Sequence, residues 1–373
     1  MPPKCILFYK TAAADERLEA VLDRESTAGR LELLGVSAEE QSMVPPARRA
    51  LPFFSPAAIS GMAFDYAVVI EASAGEKRDR ARSRVKRLLP PFLLRLHYKI
   101  AAWRFTRKKR RLWQSFDGWG KPIERQPNMV LPERSPLGAW SIPVTKTIPA
   151  RTFLLPGFRM DEYAALRMRG ITFLSDNCWG GLMYHTLGME MTSPFINMFV
   201  WTDDFIRLIN DLPYYLSQPL VPERLRERRG AACPVVLLGD VRLHFNHVTT
   251  PDELTAFAEK WYRRRDRMDM DTLLIESCFD TPENQAKYES GFAACPYPKL
   301  IFTPYPSEKY VCLSAFDENA ARYKGDFSEC TRDCAKNDYP GEIPLDFLRT
   351  FLTRTAQPPK EEKKGTKGDF LLK

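Results

Sequence analysis

Apolar and polar positions along the chain follow two rhythms. The runs CILFY (5–9), LELLGV (31–36) and DYAVVIEAS (65–73) are short and continuously apolar, as strands are. Between the first two, ADERLEAVLDRE (14–25) repeats its apolar residues at helical spacing, and a basic helix is expected from about Glu76 onward. Strand, helix, strand, strand, helix is the order of a Rossmann-like half. Residues 1–116 are therefore read as a degenerate Rossmann-like domain ending in a basic segment. It is degenerate because its first turn, Tyr9-Lys10-Thr11-Ala12-Ala13-Ala14, lacks the glycines that let a backbone approach a pyrophosphate. Dinucleotide binding of that kind is not expected, and a structural or interaction role is favoured.

Residues 117–159 are rich in proline with little periodicity, which marks an extended connection. A second domain is expected over 160–352. Its opening helix, MDEYAALRMRG (160–170), leads into ITFLS (171–175), and the further strands VVLLG (235–239), TLLI (272–275) and KLIFT (299–303) predict a larger α/β domain with a mostly parallel sheet. The polar, Pro/Lys-rich end, 353–373, reads as a flexible tail.

A chain of 373 residues that is 44% hydrophobic and 12% aromatic can bury more than one core. Its eight cysteines form no dense disulfide framework, and MPPKCILFYK lacks the pattern of a signal peptide, so a reducing, cytoplasmic setting is expected. The net charge of +8 is focused: residues 95–111, RLHYKIAAWRFTRKKRR, carry eight Lys or Arg and no acid. With Tyr98, Trp103 and Phe105 interleaved, this segment suits an anionic membrane surface, and nucleic acid would also accept it.

Candidate chemistry gathers after two strands. ITFL ends in Ser175, Asp176, Asn177 and Cys178, followed by Trp179, Gly180 and Gly181. A strand end in an open α/β sheet delivers such residues into the ligand-binding crevice, and the glycines would bring backbone N–H groups close to an oxyanion. Cys178 at a helix N-terminus would be an activated thiol, with Ser175 a rival nucleophile. His185 lies two turns further along that helix, about 10 Å of rise, so direct contact with Cys178 needs a bend. The second cluster follows VVLLG: Asp240, Arg242, His244 and His247, with Arg242 and His244 on one face if VRLHF is extended. Each has a structural alternative, as a buried small hydrophobe for Cys178 and as hydrogen-bonded histidines for the others. In a strand the two histidines of HxxH point to opposite faces, and Cys330 and Cys334 are spaced CxxxC, so no metal site is expected. Asp203 and Asp204 read as paired carboxylates or as the start of the helix FIRLINDL. Arg264, within WYRRRDRMD (261–269), suits a phosphate or carboxylate, or else belongs to a solvated basic face.

The segments FLSDNCWGGLMYHTLGMEMTSPFINMFV (173–200), DDFIRLINDLPYYLSQPL (203–220), VVLLGDVRLHFNHVTTPDELTAFAEKWYRRRDRMDMDTLLI (235–275) and YPKLIFTPYPS (297–307) resemble the bacterial DUF1919 family, tied to exopolysaccharide or capsule biosynthesis. The resemblance implies a role in making surface polysaccharide and supplies no reaction or cofactor; because such precursors are membrane-carried, it also implies that residues 95–111 hold the protein at the inner face of the membrane, with nucleic acid the less favoured partner. The expectation is a transferase acting on an activated donor or polysaccharide precursor, by acyl transfer through Cys178 with His244 or His185 as base and Asp240 or Asp176 as orienter. The alternatives are a glycosyl or phosphoryl transferase without covalent catalysis, and a non-enzymatic assembly protein docked on membrane.

Overall fold

The computed structural model describes residues 1–10, 15–59, 61–71, 109–125, 144–155, 157–228, 231–313, 316, 323 and 326–336. The helix expected from Glu76, residues 95–108 of the basic segment, and the tail 353–373 lie outside the described residues. Strands β1 (Lys4–Tyr9), β2 (Glu32–Ala38), β3 (Phe53–Phe54), β4 (Tyr66–Ile70) and β5 (Thr147–Pro149) form one parallel sheet, ordered β3-β2-β1-β4-β5. This is the order of a Rossmann half, as the alternation of runs implied. The helix Glu16–Thr27 connects β1 to β2. Asp15 caps it by accepting from the N–H groups of Arg17 and Leu18, and its buried face presents Leu18, Leu22 and Glu25.

β5 falls within the stretch read as an extended connection. Only three residues long and ending in proline, it carries no pattern of its own and forms because β4 offers a free parallel edge.

Strands β6 (Thr172–Ser175), β11 (Leu273–Cys278), β12 (Lys299–Thr303) and β13 (Val311–Cys312) make a second parallel sheet, ordered β13-β12-β11-β6. Its residues alternate between two cores. Phe173, Leu274, Leu300 and Phe302 join a cluster with β1, β2 and the helices Met160–Arg169 and Trp179–Leu187, whereas Leu174, Leu273, Ile275 and Ile301 join a second cluster. Burial on both faces explains why these runs are apolar throughout.

The second cluster's other wall is an antiparallel sheet, ordered β7-β10-β9-β8, of β7 (Phe199–Val200), β8 (Leu220–Arg228), β9 (Ala231–Leu238) and β10 (Val241–His244). VVLLG, expected among the parallel strands, belongs here. The turn Gly239-Asp240 reverses the chain at once, with Val241 opposite Leu238 and Gly239 at φ 63°, a left-handed conformation that favours glycine.

Candidate active site

β6 and β11 end side by side, with Ser175 opposite Glu276, and the chain after each strand enters the crevice at the sheet's C-terminal edge. After β6 it turns into the helix Trp179–Leu187. Asn177 Oδ1 accepts from the Trp179 N–H at 2.7 Å and Ser175 Oγ from the Gly180 N–H at 3.0 Å, so two of the helix's unpaired donors are satisfied by this strand end. Gly180 packs directly on β6: a Cβ there would lie 2.8 Å from Ser175 Oγ and 3.0 Å from Phe173 Cβ. Trp179 is fully buried, its ring 5.4 Å from Phe173 and 5.8 Å from Phe302. These residues build the strand-to-helix junction; close packing, rather than an open anion cradle, accounts for Gly180.

Beside the junction opens a cleft of about 290 Å³. Asp176 and Asn177 line it after β6, Cys278 and Asp280 at and after the end of β11, and Asp326 and Ser328 at the start of the helix Phe327–Lys336. Asn284 and Tyr288 face it from the helix Pro282–Ala294, and the segment Phe199 to Thr202 with Arg226 closes the remaining wall.

Asp176 is only 6% exposed. Its Oδ2 accepts from Ser277 Oγ at 2.6 Å and its Oδ1 from Asn177 Nδ2 at 2.9 Å. Burial pushes its pKa up to about 7 and the Asp280 charge adds to this, while the hydrogen bonds from Ser277 and Asn177 pull the other way. Glu276, fully buried beside it, is raised well above the usual carboxylate range by burial and by Asp176. Ser175 and Asn177 are its polar neighbours, but neither Glu276 oxygen meets a donor in hydrogen-bonding geometry. The two therefore titrate as a pair above the usual carboxylate range. Asp280 is raised by burial and by Asp326, and burial pushes the Cys278 thiol up.

Of the second predicted cluster, His244 approaches this cleft. It is buried behind the wall, its ring 5.8 Å from Phe199 and 6.1 Å from Trp201, and its Nδ1 lies 3.4 Å from Arg226 Nη1. Burial and then Arg226 push its pKa down to about 4, so the imidazole is neutral near pH 7. Because a guanidinium only donates, Nδ1 accepts from Arg226 and Nε2 carries the proton.

The other predicted residues lie apart from this cleft's lining. Cys178 is half-buried at the N-cap of the helix Trp179–Leu187; its carbonyl accepts from the Leu182 N–H at 3.1 Å, but no hydrogen bond joins its sulfur to His185, His244 or any other described residue. His185 is exposed at the helix's last turn; surrounding protein, then Arg151 and Arg264, hold its pKa below the ordinary value. Asp240, in the β9–β10 turn, accepts from Tyr215 Oη at 2.8 Å and pairs with Arg207. Arg242 donates to Glu223 at 3.2 Å, and its backbone N–H donates to Asp204 Oδ2 at 3.1 Å. His247 is exposed beyond β10. Gly181 is buried near Ile196. Arg264 is half-buried, donates to Met191 Sδ at 3.5 Å, and is pushed down to about 10 by burial and the neighbouring Arg267. Asp203 and Asp204 occupy the first turn of the helix Thr202–Asn210. Among the described residues, no three His, Cys, Asp or Glu side chains are grouped to hold a metal ion.

Sequence reasoning missed Trp201, Arg226, Glu276, Ser277, Asp280 and Asp326. One signal for them was present: a glutamate inside the apolar run LLIESC is a buried charge, which a fold keeps only with some compensating role or partner.

A family model described as a domain of unknown function, DUF1919, matches residues 150–337, which include every residue lining the cleft. An uncharacterized protein of Haemophilus influenzae is 34% identical over 147 residues, covering 39% of this chain and 68% of that protein.

Proposed function

We propose, for a chain that belongs to the DUF1919 family, that the cleft at the edge of the second parallel sheet is the active site of a transferase building or modifying a bacterial surface polysaccharide, with Asp176 as general base. The observation that carries this reading is Asp176 itself: buried, oriented by Ser277 and Asn177, and lining the cleft with a pKa of about 7. A base poised near the working pH transfers protons most effectively. Each Asp176 oxygen accepts one hydrogen bond and keeps a lone pair for a substrate hydroxyl.

In the proposed step, a hydroxyl of the acceptor saccharide gives its proton to Asp176 as its oxygen forms the new bond to the donor. The donor's bond to its leaving group breaks, and the electron pair departs with that group. This is the non-covalent glycosyl or phosphoryl route. Acyl transfer through Cys178 has less support, because its sulfur lacks a hydrogen-bonded base among the described residues and is not part of the cleft lining. No helix among the described residues is long and apolar enough to cross a membrane. Peripheral attachment through residues 95–111 remains part of the proposal, as the means of reaching a membrane-carried precursor.

The test is complementation of a deletion strain with surface polysaccharide as the readout. The wild-type chain and Cys178→Ala restore it, and Asp176→Asn does not. Restoration by Asp176→Asn at normal protein levels would overturn the assignment.

A further inference from the structure

Arg226, on β8, is the cation among the residues lining the cleft, and it faces a lining that holds Asp176, Asp280 and Asp326. Among the described residues none of these acids, nor any other carboxylate, forms an ion pair with it. Two uncharged groups hold it instead: its guanidinium lies 5.2 Å from the centroid of the Trp201 ring, and Nη1 donates to His244 Nδ1 at 3.4 Å. Trp201 is in turn set by Phe199, at 4.8 Å between ring centroids in an edge-to-face arrangement. The guanidinium is thus placed by stacking and by a neutral imidazole, and these contacts leave its charge uncompensated. A guanidinium has five N–H donors in a planar fork suited to phosphate or carboxylate, and His244 takes one of them.

Resting on the transferase reading above, we infer that Arg226, held by Trp201 and His244, is the subsite for a phosphate group of the activated donor. Phosphate is favoured over a neutral leaving group because Arg226 attracts its charge, and repulsion from Asp176, Asp280 and Asp326 turns it toward the Arg226 wall. A donor bound this way is oriented: the phosphate sits at Arg226, and the reacting carbon or phosphorus turns toward the acceptor hydroxyl at Asp176. The cleft, about 290 Å³, is near the lower end of small-molecule pockets, roughly 300–1,000 Å³. That size suits a sugar phosphate head, with the rest of the donor extending outside. His244 is a positioning residue here, acting on the donor only through Arg226.

Calorimetric titration of the full chain with inorganic pyrophosphate, UDP and farnesyl pyrophosphate tests this directly. Binding of at least one probe is expected, weakened about tenfold or more in Arg226→Gln, which corresponds to about 1.4 kcal/mol. Arg226→Lys, which keeps the charge but loses the fork, should fall between the two. His244→Ala should weaken the same probes less than Arg226→Gln does. UDP binding best indicates a nucleotide donor, farnesyl pyrophosphate a lipid-carried one, and equal binding a site for the shared phosphate alone; each supports the subsite. Absence of binding to the wild-type chain, or binding by folded Arg226→Gln equal to that of the wild type, overturns it. Asp176→Asn should still bind the probes. If it does and also complements the deletion strain, the phosphate subsite stands and the base assignment falls. If probe binding ignores Arg226 while Asp176→Asn fails to complement, the reverse holds.

Discussion

Ser277 Oγ donates a 2.6 Å hydrogen bond to Asp176 Oδ2, tying the ends of two neighbouring parallel strands together through their side chains. Asp176 follows β6 and Ser277 is next to last in β11, so the bond exists only once the two strands have paired. It also opposes the largest influence on Asp176. Burial disfavours the charged carboxylate, and a donor aimed at its oxygen favours it.

Ser277→Ala removes that donor while leaving the burial intact. The Asp176 pKa, already at about 7, should therefore rise further. A general base works when deprotonated, so the acidic limb of the activity profile should move to higher pH. Carboxyl carbon NMR titration of aspartate-labelled protein reads the shift without any substrate. An Asp176 midpoint that stays put or falls would contradict the hydrogen bond's role.

Asp280→Asn acts in the opposite direction. The Asp280 charge disfavours ionisation of Asp176, so removing it should lower the Asp176 midpoint and move the acidic limb to lower pH. The same NMR titration checks the sign. Ser277→Ala and Asp280→Asn moving Asp176 the same way would mean that neighbouring charge and hydrogen bonding have been misjudged.

The first sheet was largely legible because CILFY, LELLGV and YAVVI are continuous apolar runs separated by a helical pattern. β5 was not, since Thr147-Ile148-Pro149 becomes a strand only against the edge of β4. The antiparallel pair β9 and β10 was legible in principle. A two-residue Gly-Asp turn between VVLL and VRLH is a hairpin signal, and treating VVLLG as one more parallel strand overlooked it. Asp176 and Asn177 were identifiable because polar residues follow directly on an apolar strand. Arg226 was hidden in the charge alternation of LVPERLRER, where sequence cannot distinguish an arginine paired with a glutamate from one left to face a cleft. Asp280 lies 104 residues from Asp176, and only the pairing of β6 with β11 brings the two strand ends together.

The close seat of the helix Trp179–Leu187 on β6 predicts unequal effects at two adjacent glycines. A methyl at Gly180 would meet Ser175 Oγ at 2.8 Å and Phe173 Cβ at 3.0 Å, atoms fixed to the strand, so Gly180→Ala should destabilise by about 2 kcal/mol through overpacking. At Gly181 the nearest atom is Ile196 Cγ2 at 3.2 Å, a single methyl that need yield only a few tenths of an ångström. There the helix preference for alanine, about 1 kcal/mol, offsets the contact and leaves Gly181→Ala near neutral. Urea unfolding of the two variants decides it, and equal losses would show that the helix does not rest on β6 through Gly180.

Glu25 joins the first sheet's helix to the rest of the chain. Glu25, fully buried on the helix Glu16–Thr27, accepts from Arg30 and Arg24, and its Oε2 also accepts from the Met160 N–H at 2.9 Å across 135 residues of chain. Burial raises its pKa, but the hydrogen bonds from Arg30, Met160 and Arg24 outweigh this and hold it below the usual value. Both arginines are partly exposed and regain water if the carboxylate is lost, whereas the Met160 N–H is buried and does not. Glu25→Ala should therefore destabilise by about 2 kcal/mol at neutral pH, set mainly by that orphaned donor. Because the folded pKa is depressed, the carboxylate's ionic contribution is present above the unfolded glutamate pKa and fades as pH falls through the folded value. The gap between wild type and Glu25→Ala should accordingly narrow in acid. Thermal unfolding of both proteins across pH 3 to 7 measures it, and a gap independent of pH would mean that packing, not the charge, holds the joint.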